Sequence, residues 1–149
     1  MDDSKYAGLK LENQLCFPLY AASREVIKQY RPYLNAIDLT YTQYITMMVV
    51  WEEKKINVSA LGKKLFLDSG TLTPVLKSLE AKGYIRRHRF SEDERVLLVE
   101  ITEAGEALKE QAVAIPRQMA NCLTLTAEET MQLYQLLYKM LGTSISETT

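Results

Sequence analysis

Along most of this chain apolar side chains recur every three or four residues, the spacing of one helix face, and only between residues 84 and 101 does that period give way to strand composition. Over residues 9–33, Leu11, Leu15, Leu19, Ala22 and Val26 form one stripe, which predicts a helix. Pro18 lacks the N–H that would reach the carbonyl of Gln14, so a kink or helix boundary is expected close to Cys16 and Phe17. After Arg31 and Pro32 a loop is expected through Asn35 and Asp38. Thr40 and Gln43 then have the spacing of a capping box, opening a strongly apolar helix through Ile45, Met48, Val49 and Trp51 to Glu53. Met47, Met48 and Trp51 read as packing.

Two short helices follow. Residues 58–66 place Val58, Leu61, Leu65 and Phe66 inward, and residues 68–82 begin with Asp68 as a cap and bury Leu72, Val75, Leu76 and Leu79. Gly83 is the stop signal. A strand over 84–90, a polar turn over 91–95 and a return strand over 96–101 complete a hairpin. Thr102 caps a helix running toward Gln118 with an interruption at Pro116. Thr126 caps a last one with Glu128 and Glu129 in its first turn and Leu133, Leu136, Leu137, Met140 and Leu141 on one face. Gly142 ends it, and residues 143–149 are expected to fray.

Helix, helix, hairpin is the order of a winged helix-turn-helix, so the fold class is mainly α with a small β-hairpin wing. The chain reads as a single domain over 1–149, with a nucleic-acid-reading lobe at about 55–101. Helices at about 9–34 and 103–142 would supply a dimerisation layer, since a dimer matches two half-sites one turn apart.

A net charge of −1 over 149 residues hides an asymmetry. Between residues 59 and 89, Lys63, Lys64, Lys77, Lys82, Arg86, Arg87 and Arg89 stand against only Asp68 and Glu80. Positive charge is thus concentrated where a DNA backbone would lie. The helix over 68–82 offers Ser69, Thr71, Thr73, Lys77 and Ser78 on its polar face, with Pro74 in the same helix, to base edges and phosphates. No uninterrupted apolar run reaches membrane length and no secretory leader is visible, so a cytoplasmic protein is expected. The two cysteines, Cys16 and Cys122, are no disulfide framework, and with one histidine they have no zinc spacing, so neither metal nor cofactor is expected. A cysteine between Leu15 and Phe17 on an amphipathic helix reads first as an inert core thiol.

The block DSGTLTPVLKSLEAKGYIRRHRFSEDERVLLVEITEAG over 68–105 resembles a MarR-family repressor, above all in Asp93-x-Arg95 followed by a strand and Leu98-Val99-Glu100-Ile101-Thr102-Glu103-x-Gly105. The block LENQLCFPLY over 11–20 is similar to the organic-hydroperoxide-sensing, OhrR-like branch. The resemblance implies a winged-helix homodimer on double-stranded operator DNA, with the 68–82 helix in the major groove and Arg95, beside Asp93, in the minor groove. Lys77, Arg86, Arg87 and Arg89 would hold phosphates.

It also implies a sensor. Cys16 would be the thiol oxidised by organic hydroperoxide, with the phenols of Tyr30 and Tyr41 from the partner subunit hydrogen-bonded to it and apolar Leu15, Phe17 and Leu19 favouring organic over hydrogen peroxide. In that branch the oxidised sulfur is capped either by a low-molecular-weight thiol or by a second cysteine, and Cys122 lies in the right part of the chain for the latter, with a buried or incidental thiol as the alternative. Two other readings stand beside this one. One is a MarR-type repressor released by a small phenolic ligand, with Cys16 only structural. The other, a thiol peroxidase, lacks a charged partner or acid–base cluster near Cys16, so the chain reads as no enzyme.

Overall fold

The computed structural model describes residues 3–143. The chain forms two compact units, Met1–Pro116 and Arg117–Thr149. The first is mainly helical around a three-stranded antiparallel sheet whose strands, in spatial order, are β1 (Lys55–Asn57), β3 (Asp93–Ile101) and β2 (Ile85–Phe90).

It opens with two short 3-10 turns, Asp3–Leu9 and Leu11–Asn13, rather than with the expected helix from residue 9. The α-helix α1, Cys16–Asn35, starts at the predicted boundary. Pro18 falls in its first turn, where N–H groups have no intrahelical acceptor and a proline costs little. Against expectation α1 continues past Pro32. Leu34, Ile37 and Leu39 are buried there, and the N–H groups of Ile37 and Leu39 donate to the Leu34 carbonyl at 3.1 and 3.0 Å, so packing holds a turn that proline disfavours. Of the apolar stripe, Leu11, Leu15, Leu19 and Ala22 are exposed in the protomer, Leu15 by 82%.

Helix α2, Tyr41–Glu53, carries the predicted capping box: Gln43 N–H donates to Thr40 Oγ1 and Thr40 N–H to Gln43 Oε1. Met47, Val50 and Trp51 enter the core, and Trp51 Nε1 donates to the Gly105 carbonyl at 2.8 Å. Met48, expected among them, is exposed. Strand β1, Lys55–Asn57, was not expected; it pairs with β3, Ile56 opposite Val99.

Asn57 caps α3, Val58–Leu65. The helix ends at Phe66, whose φ of 54° turns the chain left-handed and leaves its ring half exposed rather than inward. A Cβ at Gly62 would sit 2.8 Å from the Leu67 carbonyl oxygen, so the turn between the two short helices needs glycine there. Helix α4, Ser69–Ala81, buries Leu72, Leu76 and Leu79. It ends at Gly83, φ 82°, with Gly83 N–H on the Glu80 carbonyl and Tyr84 N–H on that of Leu79, a Schellman closure.

The wing is β2, Ile85–Phe90, and β3, Asp93–Ile101. Only Ser91 and Glu92 turn between them, so Asp93 to Arg95, expected in the turn, belong to the strand. Helix α5, Glu103–Ala112, is capped by Thr102. The break after it precedes Pro116, which lies in the first turn of α6, Ile115–Met119, where proline fits.

In the second unit Thr126 and Glu129 form a capping box for α7, Ala127–Met140, and Gly142, φ 77°, follows its end. Its predicted apolar face, including Leu133, Leu136 and Met140, is exposed. The expected fraying beyond Thr143 lies outside the described residues.

Candidate nucleic-acid interface and sensor site

The start of α4 is fixed by Asp68, whose Oδ1 accepts the Thr71 N–H at 2.7 Å. That N–H holds the Asp68 carboxyl below the usual carboxylate range, with the Thr71 side chain next in effect. Ser69, Thr71, Pro74 and Lys77 face solvent, and half-buried Thr73 donates its hydroxyl to the Ser69 carbonyl at 2.7 Å. Ser78, expected on the same polar face, is turned toward α2: its Oγ accepts from Gln43 Nε2 at 2.9 Å.

The basic run of the wing is not one patch. Strand alternation puts Arg86 and His88 on one face of β2 and Arg87 and Arg89 on the other. Arg87, expected on phosphate, is half-buried and tied to Glu80 of α4. Its backbone N–H donates to Glu80 Oε2 at 2.7 Å, and its Nη2 and Nε donate to Oε1 at 3.0 and 3.2 Å. The backbone N–H first, and the guanidinium after it, keep the Glu80 carboxyl below its ordinary range. His88, the chain's single histidine, has Nε2 3.0 Å from Glu100 Oε2. Lys64 pairs with Glu53 at 2.8 Å and Lys82 with Asp38 at 3.3 Å. Of the seven cations counted in the sequence, Lys63, Lys77, Arg86 and Arg89 thus have no ion pair among the described residues.

At the hairpin end, Asp93 Oδ1 accepts from Arg95 N–H at 3.0 Å and Nε at 3.1 Å. The Arg95 side chain holds the Asp93 carboxyl below its usual range. Arg95 itself is 91% exposed, a guanidinium aimed outward on a short tether.

Of the expected sensor residues, Cys16, Tyr30 and Tyr41 belong to the first unit. Cys16 is exposed at the head of α1. Tyr30, on α1, packs against Tyr41 of α2 with ring centroids 5.0 Å apart and the rings tilted by 57°. The structure adds Tyr44, which sequence reasoning missed: its ring lies 5.9 Å from Tyr30 and 6.4 Å from Tyr41. The signal available was its three-residue spacing from Tyr41 on one helix face. Burial first, and Tyr30 after it, raise the phenols of Tyr41 and Tyr44 above the ordinary tyrosine value, so both remain hydrogen-bond donors at neutral pH. Cys16 and Tyr30 lie fourteen positions apart on one helix, about 21 Å along its axis at 1.5 Å per residue, more than their side chains span. One protomer therefore cannot bring its own Cys16 and Tyr30 together in this conformation.

Cys122, in the second unit, is half-buried, with Sγ 3.6 Å from the Gln118 carbonyl oxygen. Among the described residues no three His, Cys, Asp or Glu side chains group as a metal site would require, and no helix is long and apolar enough to cross a membrane. A cavity of about 420 Å³ in the first unit is lined by Tyr44, Met48, Trp51, Lys109, Ala112 and Pro116 among others.

Comparison with known proteins gives a consistent picture. Residues 28–112 match the family described as transcriptional regulator SarA/Rot. The organic hydroperoxide resistance transcriptional regulator of Bacillus subtilis is 47% identical over 141 residues, 95% of this chain and 96% of that protein. Reduced AbfR bound to DNA superposes with a TM-score of 0.76 at 33% identity, covering 94% of this chain and 97% of the other. AbfR is a protein of Staphylococcus epidermidis. Its disulfide-formed structure superposes with a TM-score of 0.63 at 33% identity, covering 95% and 99%.

Proposed function

Because the chain belongs to the MarR-type winged-helix transcriptional regulators, in the organic-hydroperoxide-sensing branch, we propose that it is an operator-binding repressor released when Cys16 is oxidised. The observation that carries the detail is the separation along α1. Cys16 is exposed and about 21 Å along the helix axis from Tyr30 of its own chain, which supports a sensor in which Tyr30 and Tyr41 of a second copy meet its sulfur. The exposed apolar side chains of α1 and α7, such as Leu15, Leu19, Leu136 and Met140, are the surfaces that dimerisation would cover, while residues of about 55–101 read DNA. The protein is then a cytoplasmic homodimer.

On DNA, α4 enters the major groove with Ser69, Thr71, Thr73 and Pro74 near base edges, and Lys77, Arg86 and Arg89 take phosphates. Arg95, held at its base by Asp93, enters the minor groove. Arg87 serves the interface from within, through Glu80.

In the sensor, the Cys16 thiolate attacks the outer oxygen of an organic hydroperoxide. An S–O bond forms as the O–O bond breaks; the sulfur loses two electrons to become a sulfenic acid, and the departing alkoxide takes a proton to leave as the alcohol. Tyr30 and Tyr41 of the partner hydrogen-bond to the thiolate and are displaced when the sulfur gains oxygen. The sulfenic acid then condenses with a thiol, releasing water: either Cys122 or a low-molecular-weight thiol. One oxidant is consumed per sulfur, so this is regulation and not turnover.

The cavity beside Tyr44 favours one second reading, a small phenolic ligand as the releasing signal with Cys16 structural, since its volume lies in the range of ligand sites. Operator binding at fixed salt, with and without cumene hydroperoxide, separates the two. Cys16→Ser binds but no longer releases on the hydroperoxide if the thiol is the sensor; on the second reading an added small phenol releases Cys16→Ser as it releases the unaltered protein. Cys122→Ser then distinguishes an intersubunit disulfide from capping by a small thiol.

A further inference from the structure

The capping box that opens α2 does more than cap. Gln43 is buried, and its amide joins α2 to α4: Oε1 accepts from Thr40 N–H at 3.0 Å and from Lys82 Nζ at 3.2 Å, while Nε2 donates to Ser78 Oγ at 2.9 Å. Lys82 Nζ also donates to the Asp38 carbonyl and lies 3.3 Å from Asp38 Oδ2. Ser78 belongs to the reading helix and Lys82 is its C-terminal cap residue. A glutamate would complete a capping box equally well, as Glu129 does for α7, but it has no N–H to give Ser78. The amide matters because it faces the reading helix.

The same first turn of α2 carries Tyr41 and Tyr44, both packed against Tyr30. Tyr41, Gln43 and Tyr44 cannot move independently within one capped helical turn. A buried amide separated from its partner would be left unsatisfied, so a shift of that turn carries Ser78 with it before the bond breaks. We propose that Gln43 is a positioning residue that transmits the state of the tyrosine cluster to the reading helix through Ser78 and Lys82. The inference rests on the redox reading above and names the route by which oxidation at Cys16 reaches the DNA.

The test measures two quantities on the full-length dimer: the rate of Cys16 thiol loss to cumene hydroperoxide by mass spectrometry, and the ratio of operator Kd after and before oxidation. Ser78→Ala leaves the capping box intact and removes only the acceptor on α4. It is expected to oxidise at the rate of the unaltered protein while the Kd ratio falls by about fivefold or more, the lower end of usual coupling between sites. Ser78→Thr, which keeps the hydroxyl, restores the ratio. Because the ratio is read, a change in basal affinity does not imitate the effect. An unchanged ratio in Ser78→Ala overturns the inference while the redox reading stands, as does slower Cys16 oxidation in that variant. A protein without substitutions that fails to release on oxidation overturns the redox reading and this route together.

Discussion

The Glu80 carboxylate, on the reading helix, accepts both the backbone N–H and the guanidinium of Arg87, on the first strand of the wing. One side chain thus sets the wing's position relative to the helix. Simple charge counting predicts that neutralising Glu80 strengthens DNA binding. The clip predicts the reverse: Glu80→Gln weakens operator binding by about fivefold, the size of one net hydrogen bond, in a filter or fluorescence titration.

Arg87 and Lys77 are expected to differ in kind. Lys77→Gln removes a phosphate contact, so the slope of log K against log salt becomes shallower by about one. Arg87→Gln lowers affinity with that slope unchanged, because its guanidinium is engaged with Glu80. Equal slopes for the two variants would return Arg87 to the phosphate contacts.

Acid should loosen the interface in a defined direction. The carboxyls of Asp68 and Glu80 lie below their ordinary values, so the stability they contribute is complete above the ordinary carboxylate range and is lost as pH falls through their depressed values. Thermal melts are expected to hold level from pH 7 to about 5 and to fall below that. Asp68→Asn, which caps as well as aspartate but does not titrate, should melt like the unaltered protein at pH 7 and show a shallower fall in acid.

Gly83 sits at φ 82°, where a side chain is strained. Gly83→Ala is expected to cost about 1–2 kcal/mol in chemical denaturation, with α4 and β2 the elements disturbed.

How much of this was legible in the sequence follows from the range of each signal. Asp68, Gly83, Thr40 with Gln43, and Thr126 act within a few residues of themselves, so the ends of α4, α2 and α7 could be read directly. Strand β1 could not: Lys55-Ile56-Asn57 is too short to show a period, and its partner β3 lies some forty residues away, opposite as Glu100, Val99 and Leu98. The Glu80–Arg87 clip was hidden for the same reason, since only the fold brings that helix face to that strand edge. Charge counting therefore read Arg87 as free. Ser78 was placed on the reading face because helical period cannot tell a polar residue facing solvent from one facing another helix. The apolar stripes of α1 and α7 were legible as helix faces, and they are largely exposed in the protomer. Amphipathicity says that a face will be covered, not by which chain. Tyr30 and Tyr41 came from the resemblance, and the structure brings them together with a third ring, Tyr44, that no motif had marked.

The central claim is that the sensor is assembled from two chains, and mixed dimers test it most directly. One protomer carries Cys16→Ser, its partner Tyr30→Phe with Tyr41→Phe, and the two are isolated through different affinity tags. The single remaining Cys16 then belongs to the chain without phenols, and only the other chain can supply them. In the Tyr30→Phe, Tyr41→Phe homodimer oxidation of Cys16 is expected to slow by at least about tenfold, the loss of a hydrogen bond to a charged group. In the mixed dimer it should proceed at the rate of the unaltered protein. If the mixed dimer reacts as slowly as the phenylalanine homodimer, the tyrosines act within their own chain and the two-chain sensor is wrong.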